Sequence, residues 1–277
     1  MSVVKIDDSG RETLTDKKIN SHISNEKFEN RLFVRLIVKD KNFEKVSFKY
    51  TNFESSYLRG CKFDSCDFTG CKFVGTNFSG AKFIGCKFDY TIFEKTIIDN
   101  DILDNCCPSQ ENLKLKFART LRVNFQQLGD SDSVNKAIKV ELDATKEHLH
   151  KAWHSNESYY RQKYKNIKRI EMFFYWLNFS FWDFTWGNGE DILKLVRSVF
   201  IFFILMGLFD IVINQNQYLT SNSFDFIWQM PVKIPAIFFA TLSSPNYPLW
   251  YTTLVFFVRL VFFSLFTSVI LKRLNRR

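Results

Sequence analysis

From Phe43 to Leu103 an apolar residue returns at every fifth position: Phe43, Phe48, Phe53, Leu58, Phe63, Phe68, Phe73, Phe78, Phe83, Phe88, Phe93, Ile98 and Leu103. Five residues advance an α-helix by about 500°, so successive side chains drift by about 140° and never share a face; in a strand an odd spacing alternates faces. Only a coil whose own period is five buries them all. The residue two before each central one is mostly small: Thr51, Ser56, Cys61, Cys66, Cys71, Thr76, Ala81, Cys86, Thr91 and Thr96. One large and one small inward residue per side suits a narrow interior, the arrangement of a solenoid whose units stack because none can bury its face alone. Phe28, Phe33 and Val38 keep the register upstream without the small column (Glu26, Arg31, Leu36). Residues 1–42 are therefore expected to be a tail and a cap, with 24–42 the cap or an irregular first coil, and 43–107 the solenoid.

After Cys106-Cys107-Pro108 the period becomes helical. Leu113, Phe117, Leu121, Phe125 and Leu128 recur at three or four residues, and Gly129-Asp130-Ser131-Asp132 reads as a stop, a turn and a new N-cap. Ile138, Leu142, Thr145, Leu149, Ala152 and Tyr159 then form one stripe, predicting a second helix of about 35 residues and about 50 Å. These helices fill 108–170. Between Phe173 and Trp186 nine of fourteen residues are aromatic, just after Lys165, Lys168 and Arg169. Rings at the boundary and cations toward phosphate are what a segment lying in the lipid headgroup layer needs, so 171–190 is expected to be an interfacial segment ending in Trp186-Gly187-Asn188-Gly189-Glu190.

Two apolar runs follow. Ile192 to Ile213 offers 22 residues and Leu249 to Leu271 offers 23, about 34 Å at helical rise and enough to cross a hydrocarbon layer. Between them, Pro231, Pro235 and the short apolar stretch Pro235 to Leu242 suit a re-entrant segment within a membrane domain over 191–277. Basic residues flank the start of the first run (Lys194, Arg197) and the end of the second (Lys272, Arg273, Arg276, Arg277), and the loop carries only Lys233. By the positive-inside rule both termini are expected to be cytoplasmic, in a multi-pass protein of the cell inner membrane. No basic region followed by an apolar stretch opens the N-terminus, so no cleavable signal peptide is expected.

The chain's 277 residues carry a net charge of +9, which could point to nucleic acid. Across 41–105, however, nine Lys or Arg meet nine Asp or Glu, and the excess of cations sits beside the apolar runs, where it suits an anionic leaflet. No nucleic-acid partner is expected. Cys61, Cys66, Cys71, Cys86 and Cys106 fall in the small inward column and read as buried space-fillers rather than a disulfide or zinc framework. Glu147, His150 and His154 share a helix face, but three ligands on one exposed helix enclose a cation poorly, so no metal site is expected. No nucleophile with a base, phosphate-binding glycine loop or carboxylate pair is present, so no catalysis and no cofactor are expected.

The units Cys66-Asp67-Phe68-Thr69-Gly70 and Ala81-Lys82-Phe83-Ile84-Gly85 resemble the pentapeptide-repeat family over residues 43–103. The resemblance implies a right-handed quadrilateral β-helix with four pentads per coil, hence about three coils, with Phe48, Phe53, Phe63, Phe68, Phe73, Phe78, Phe83, Phe88 and Phe93 as its core. Some members are acidic mimics of DNA that inhibit gyrase; a short, neutral solenoid does not suit that role. The layout over 190–277, span, loop and span with a basic end, resembles the two-span potassium-channel family, in which pentapeptide repeats also occur. The expected fold is thus a β-helix plus an α-helical linker and a two-helix transmembrane hairpin. A potassium filter of Thr-x-Gly-Tyr-Gly type needs glycines that let carbonyls face the ion, and Thr241-Leu242-Ser243-Ser244-Pro245-Asn246-Tyr247-Pro248 has none.

The candidate pore or intramembrane polar residues are Asp210, Thr241, Ser243, Ser244 and Arg259. Arg259 falls near the middle of its span, where an unpaired Arg costs about 2.5–3.5 kcal/mol, so it is expected to face protein or water. Asp210 is a candidate partner, although about 9 Å shallower. Two functions are in view: a homo-oligomeric ion pathway with the solenoid as sensor or partner-binding module, and a non-conducting scaffold anchored among membrane lipids that binds a protein partner.

Overall fold

The computed structural model describes residues 10–214, 223–242 and 247–274 and divides into two compact units, Met1–Phe173 and Phe174–Arg277. The first unit opens with eleven short strands: β1 (Glu12–Thr15), β2 (Lys18–Ile19), β3 (Ile23–Ser24), β4 (Arg31–Val34), β5 (Ile37–Val38), β6 (Asn42–Glu44), β7 (Asn52–Glu54), β8 (Lys62–Asp64), β9 (Lys72–Val74), β10 (Lys82–Ile84) and β11 (Ile92–Glu94). All ladders are parallel. Strands β1-β4-β7-β9-β11 line one side and β3-β6-β8-β10 another. Isolated bridges close the remaining two sides, Lys27 to Ser47 to Asp67 to Lys87 and Ile37 to Tyr57 to Asn77 to Ile97. Partners are twenty residues apart, four pentads to a coil, in a four-sided parallel solenoid of about four turns.

Because the coil repeats every twenty residues, each Phe lies directly above its counterpart. Ring centroids step by 4.9 and 5.1 Å along Phe43, Phe63 and Phe83, and by 5.2, 5.1 and 5.3 Å along Phe33, Phe53, Phe73 and Phe93. That step is close to the spacing of hydrogen-bonded strands, so backbone pairing and ring stacking reinforce each other. Around the coil the rings meet edge to face, as for Phe73 and Phe78 at 5.1 Å. All nine expected core Phe are buried.

The ladder begins well upstream of Phe43, at Glu12. Residues 24–42 pair in register rather than closing the end, and it is the coil before them that is irregular: β1 and β2 pair at an offset of 19, one residue short. Leu36 is buried in the position of the missing small residue, which is how this coil holds its register without the column.

The small column does more than fill space. Thr76, Thr91 and Thr96 donate their hydroxyls to the carbonyls of Phe53, Phe68 and Phe73 at 3.2, 3.0 and 3.1 Å, in each case 23 residues back. Cys71 does the same to Phe48 at 2.9 Å. Burial pushes the Cys71 thiol up to about 12 and the Cys106 thiol to about 11, so both stay protonated and able to donate.

Beyond the last coil lie α1 (Ile102–Asn105), α2 (Glu111–Leu128), α3 (Ser131–His154) and α4 (Ser158–Lys163). Leu113, Phe117, Leu121 and Phe125 are buried, Phe117 against Phe88 and Phe93, whereas Leu128 at the helix end is exposed. Gly129 adopts φ 73° to end α2, and Asp130 accepts from Ser133 N to start α3. The open strand edge is closed by side chains of α2: Thr120 accepts from Phe93 N, Gln127 from Lys95 N, and Asn124 both accepts from Thr96 N at 2.7 Å and donates to its carbonyl at 2.8 Å. The second helix is shorter than its stripe implied. It stops at His154, Ser155 turns extended, and α4 folds back so that Tyr160 is buried and Arg161 donates to Ala152 O.

In the second unit, α6 (Ile192–Ile213), α7 (Ser223–Phe238) and α8 (Leu249–Leu274) follow α5 (Ile167–Trp186), which crosses the division, and a 3-10 turn at Gly187–Gly189. Among the described residues, two helices, Ile192–Ile213 and Leu249–Lys272, are long and apolar enough to cross a membrane. The stretch around Pro231 and Pro235 is helical rather than punctuated, both prolines lying inside α7.

Candidate functional site

The polar centre of the second unit is Asp210, in the last turn of α6 and fully buried. Three segments converge on it. Asn214 Nδ2 donates to Oδ1 at 2.7 Å from the end of the same helix, Lys233 Nζ donates to Oδ2 at 2.7 Å from α7, and the Tyr247 hydroxyl donates to Oδ1 from the segment before α8. A carboxylate out of water needs its lone pairs filled and its charge balanced, and this arrangement supplies both. Around it lies an apolar core of Met206, Ile234, Ile237, Phe238, Tyr251 and Val255. Gly207 packs on α7 beside Met230 and Ile234, where a Cβ would make ordinary contacts of 3.9 Å to Met230 Sδ and 4.0 Å to Ile234 Cγ1. An apolar groove of about 440 Å³ runs beside this contact, between Phe200, Phe203 and Ile204 on α6 and Pro231, Ile234 and Pro235 on α7.

The expected link between Asp210 and Arg259 is not made. Asp210 is satisfied by nearer donors, and Arg259 reaches instead to the Ile237 carbonyl at 3.5 Å, with its guanidinium 5.7 Å from the Phe256 ring. Its Nε is buried without a hydrogen-bond partner. The carbonyl it caps belongs to the end of α7, where Ala240 takes φ 60°, a conformation glycine adopts more readily. Thr241 lies there too, donating to the Ala236 carbonyl at 3.0 Å. Ser243 and Ser244 lie outside the described residues. Lys233 and Tyr247 were not among the sequence candidates. A lone cation between two prolines in a short apolar helix was the available signal for Lys233; nothing local marked Tyr247.

A second cluster clasps the ends of the two long apolar helices. In the turn before α6, Gly187, Asn188 and Gly189 all have positive φ, and a Cβ on Gly187 would come within 2.7 Å of Asp191 Cβ. Asp191 caps α6 by accepting from Leu193 N and Lys194 N. Lys194 pairs with Asp183 at 2.6 Å, Ser198 donates to the Thr185 carbonyl at 2.8 Å, and Arg197 lies over the Phe184 ring at 4.3 Å. Glu190 pairs with Lys272, so the start of α6 and the end of α8 are held together as in a hairpin.

Residues 61–100 match the family of pentapeptide repeats, in eight copies. Among solved structures, a trypsin-treated form of QnrB1, a plasmid-mediated fluoroquinolone resistance protein, is 19% identical with a TM-score of 0.20, covering 32% of this chain and 62% of that one. A second trypsin-treated form of QnrB1 is 16% identical with a TM-score of 0.13, covering 31% of this chain and 72% of that one. The match thus spans less than two thirds of the first of these chains. No curated protein matches this one.

Proposed function

We propose that this chain, which carries a pentapeptide-repeat domain, is a multi-pass protein of the inner membrane that assembles with copies of itself around an ion pathway, its solenoid serving as a cytoplasmic sensor or docking module. The observation that carries the reading is the fully buried Asp210 paired with the half-buried Lys233: ionisable groups among helices of membrane-spanning length are costly and concentrate where ions or protons move. One hairpin cannot enclose a pore, so the reading requires an oligomer. With no glycine between Thr241 and Pro248, the pathway is not built as a potassium filter.

A second reading, a non-conducting anchored scaffold, is favoured by a specific observation: Asp210, Glu190 and Asp183 each find a cation within the same chain, so these charges need no ion. Ion flux through the purified chain in liposomes separates the two, with chemical crosslinking of native membranes reporting assembly. Flux from the parent, with selectivity altered in Arg259→Leu, supports a pathway lined by that residue. An assembled parent that carries no flux over several voltages and lipid compositions leaves the scaffold.

A further inference from the structure

The junction of α2, α3 and α4 is built around one imidazole. His148 on α3 has both ring nitrogens engaged, Nε2 at 3.2 Å from the Tyr164 hydroxyl and Nδ1 at 3.3 Å from the Tyr160 hydroxyl. Tyr160 in turn donates to Glu111 Oε2 at 3.3 Å, and Lys151 Nζ donates to Glu111 Oε1 at 2.6 Å. A hydroxyl has a single proton. With that of Tyr160 committed to Glu111, its oxygen can only accept from the ring, which places the imidazole proton on Nδ1 and leaves Nε2 to accept from Tyr164. With the ring neutral, the chain of hydrogen bonds runs one way, from Tyr164 through His148 and Tyr160 to Glu111.

The surroundings disfavour a charge there. Glu111 faces the ring from α2, Tyr160 and Lys163 from α4, and Tyr164 from the residue after it, while Lys151 of α3 lies on Glu111. The carboxylate of Glu111 is already balanced by Lys151, whose other anion is Glu157 at 3.7 Å. Lys163 adds a cation, 5.4 Å from the Tyr164 ring centroid. Burial, and then Lys163, outweigh the opposing attraction of the Glu111 carboxylate and hold the proton affinity of His148 below the usual histidine value. Protonation would put a second donor on the ring facing the Tyr164 hydroxyl, which would have to turn its own proton away, and would add positive charge beside Lys163.

We propose that His148 is a proton-sensitive latch: the neutral ring docks α4 and Tyr164 onto the α2 and α3 pair, and its protonation undocks residues 155–166, the stretch through which the chain passes into α5. Tyr160 is the side chain that undocking would expose, since it is 2% accessible in the docked state and is held by His148 on one side and Glu111 on the other.

The test is hydrogen exchange of the full-length protein in nanodiscs between about pH 7.5 and about pH 5.0, read as protection factors so that the intrinsic pH dependence cancels. Protection of 158–164 is expected to fall by about threefold or more on acidification, while the buried face of α2 keeps its protection. His148→Gln, neutral and still able to donate and accept, should abolish that fall, and His154→Gln should leave it. An undiminished fall in His148→Gln, or no fall in the parent, overturns the latch. Should His148→Gln already be unprotected at the higher pH, the ring is titrated directly in the parent by carbon NMR. A midpoint below the usual histidine value that coincides with the loss of protection supports the latch, and a midpoint displaced from it by more than about one pH unit overturns it.

Discussion

At the residue scale, the small inward column is a hydrogen-bonding ladder as well as a filler. Thr96 is fully buried and donates to the Phe73 carbonyl, so Thr96→Val keeps the volume but strands an acceptor; it should destabilise the protein by about 1–3 kcal/mol, whereas Thr96→Cys, the residue the chain uses at Cys71, should cost less. Thermal unfolding followed by far-UV circular dichroism checks both. The corner positions have their own rule. Every fifth residue from Tyr50 to Lys95 takes positive φ, and Gly70 must also clear the Tyr50 ring, 2.6 Å from where a Cβ would be. Gly70→Ala should therefore lower the melting temperature through both strain and collision. Adding Tyr50→Ala should restore the part due to collision, leaving the penalty of the left-handed backbone, roughly 1 kcal/mol. Full recovery would show that backbone strain is negligible at this corner.

At the element scale, the notable device is the use of α2 to end the solenoid. A strand edge offers unpaired donors and acceptors that invite another chain, and the side chains of Thr120, Asn124 and Gln127 take the place of a further strand. Asn124→Ala removes both bonds to Thr96 in a buried setting and should cost about 2–4 kcal/mol, with faster exchange of the Thr96 amide before that of Phe53 in the coils below. Asn124→Leu, which fills the space, should be no better if the hydrogen bonds are the cause. The α4 junction carries a pH dependence of definite sign. Burial alone would raise the Glu111 carboxyl, but Lys151 and Tyr160 outweigh it and hold Glu111 below the usual carboxylate value of 4.5, so its contribution is present above that value and is lost as pH falls through the lower, folded one. His148, also depressed, weakens the junction earlier, as pH falls from 6.5 toward its folded value. Acid should loosen α4 in two steps, histidine first, and a single step in exchange protection would contradict this.

At the scale of the whole molecule, the membrane reading predicts an orientation and an energetic asymmetry. Single cysteines at position 221 and at position 2, in a background without the native ones, should be labelled by an impermeant thiol reagent from outside only at 221; the reverse pattern rejects the topology. Removing the cation that balances a buried carboxylate strands that charge, whereas replacing both partners can be nearly neutral. Lys233→Met should thus reduce the stability of the detergent-purified protein more than the double variant Lys233→Met with Asp210→Leu. Equal losses would mean that Asp210 is served well enough by Tyr247 and Asn214.

The five-residue period determined the solenoid and its core because a repeat that matches neither 2.0 nor 3.6 residues leaves a single packing solution, and the long apolar runs determined the two long helices because length and composition are local properties. The start of α3 was equally legible, since Gly129 and Asp130 act on their own neighbours. Tertiary structure decided what depends on residues far apart in the chain. It set the break at Ser155, where burial of Tyr160 against Glu111 outweighs the continuing helical stripe, and it extended the ladder up to Glu12, where pairing with β4 tolerates a missing small column. It also gave Asp210 to Lys233 rather than to Arg259: both are cations, and only the path of α7 brings one within hydrogen-bond distance.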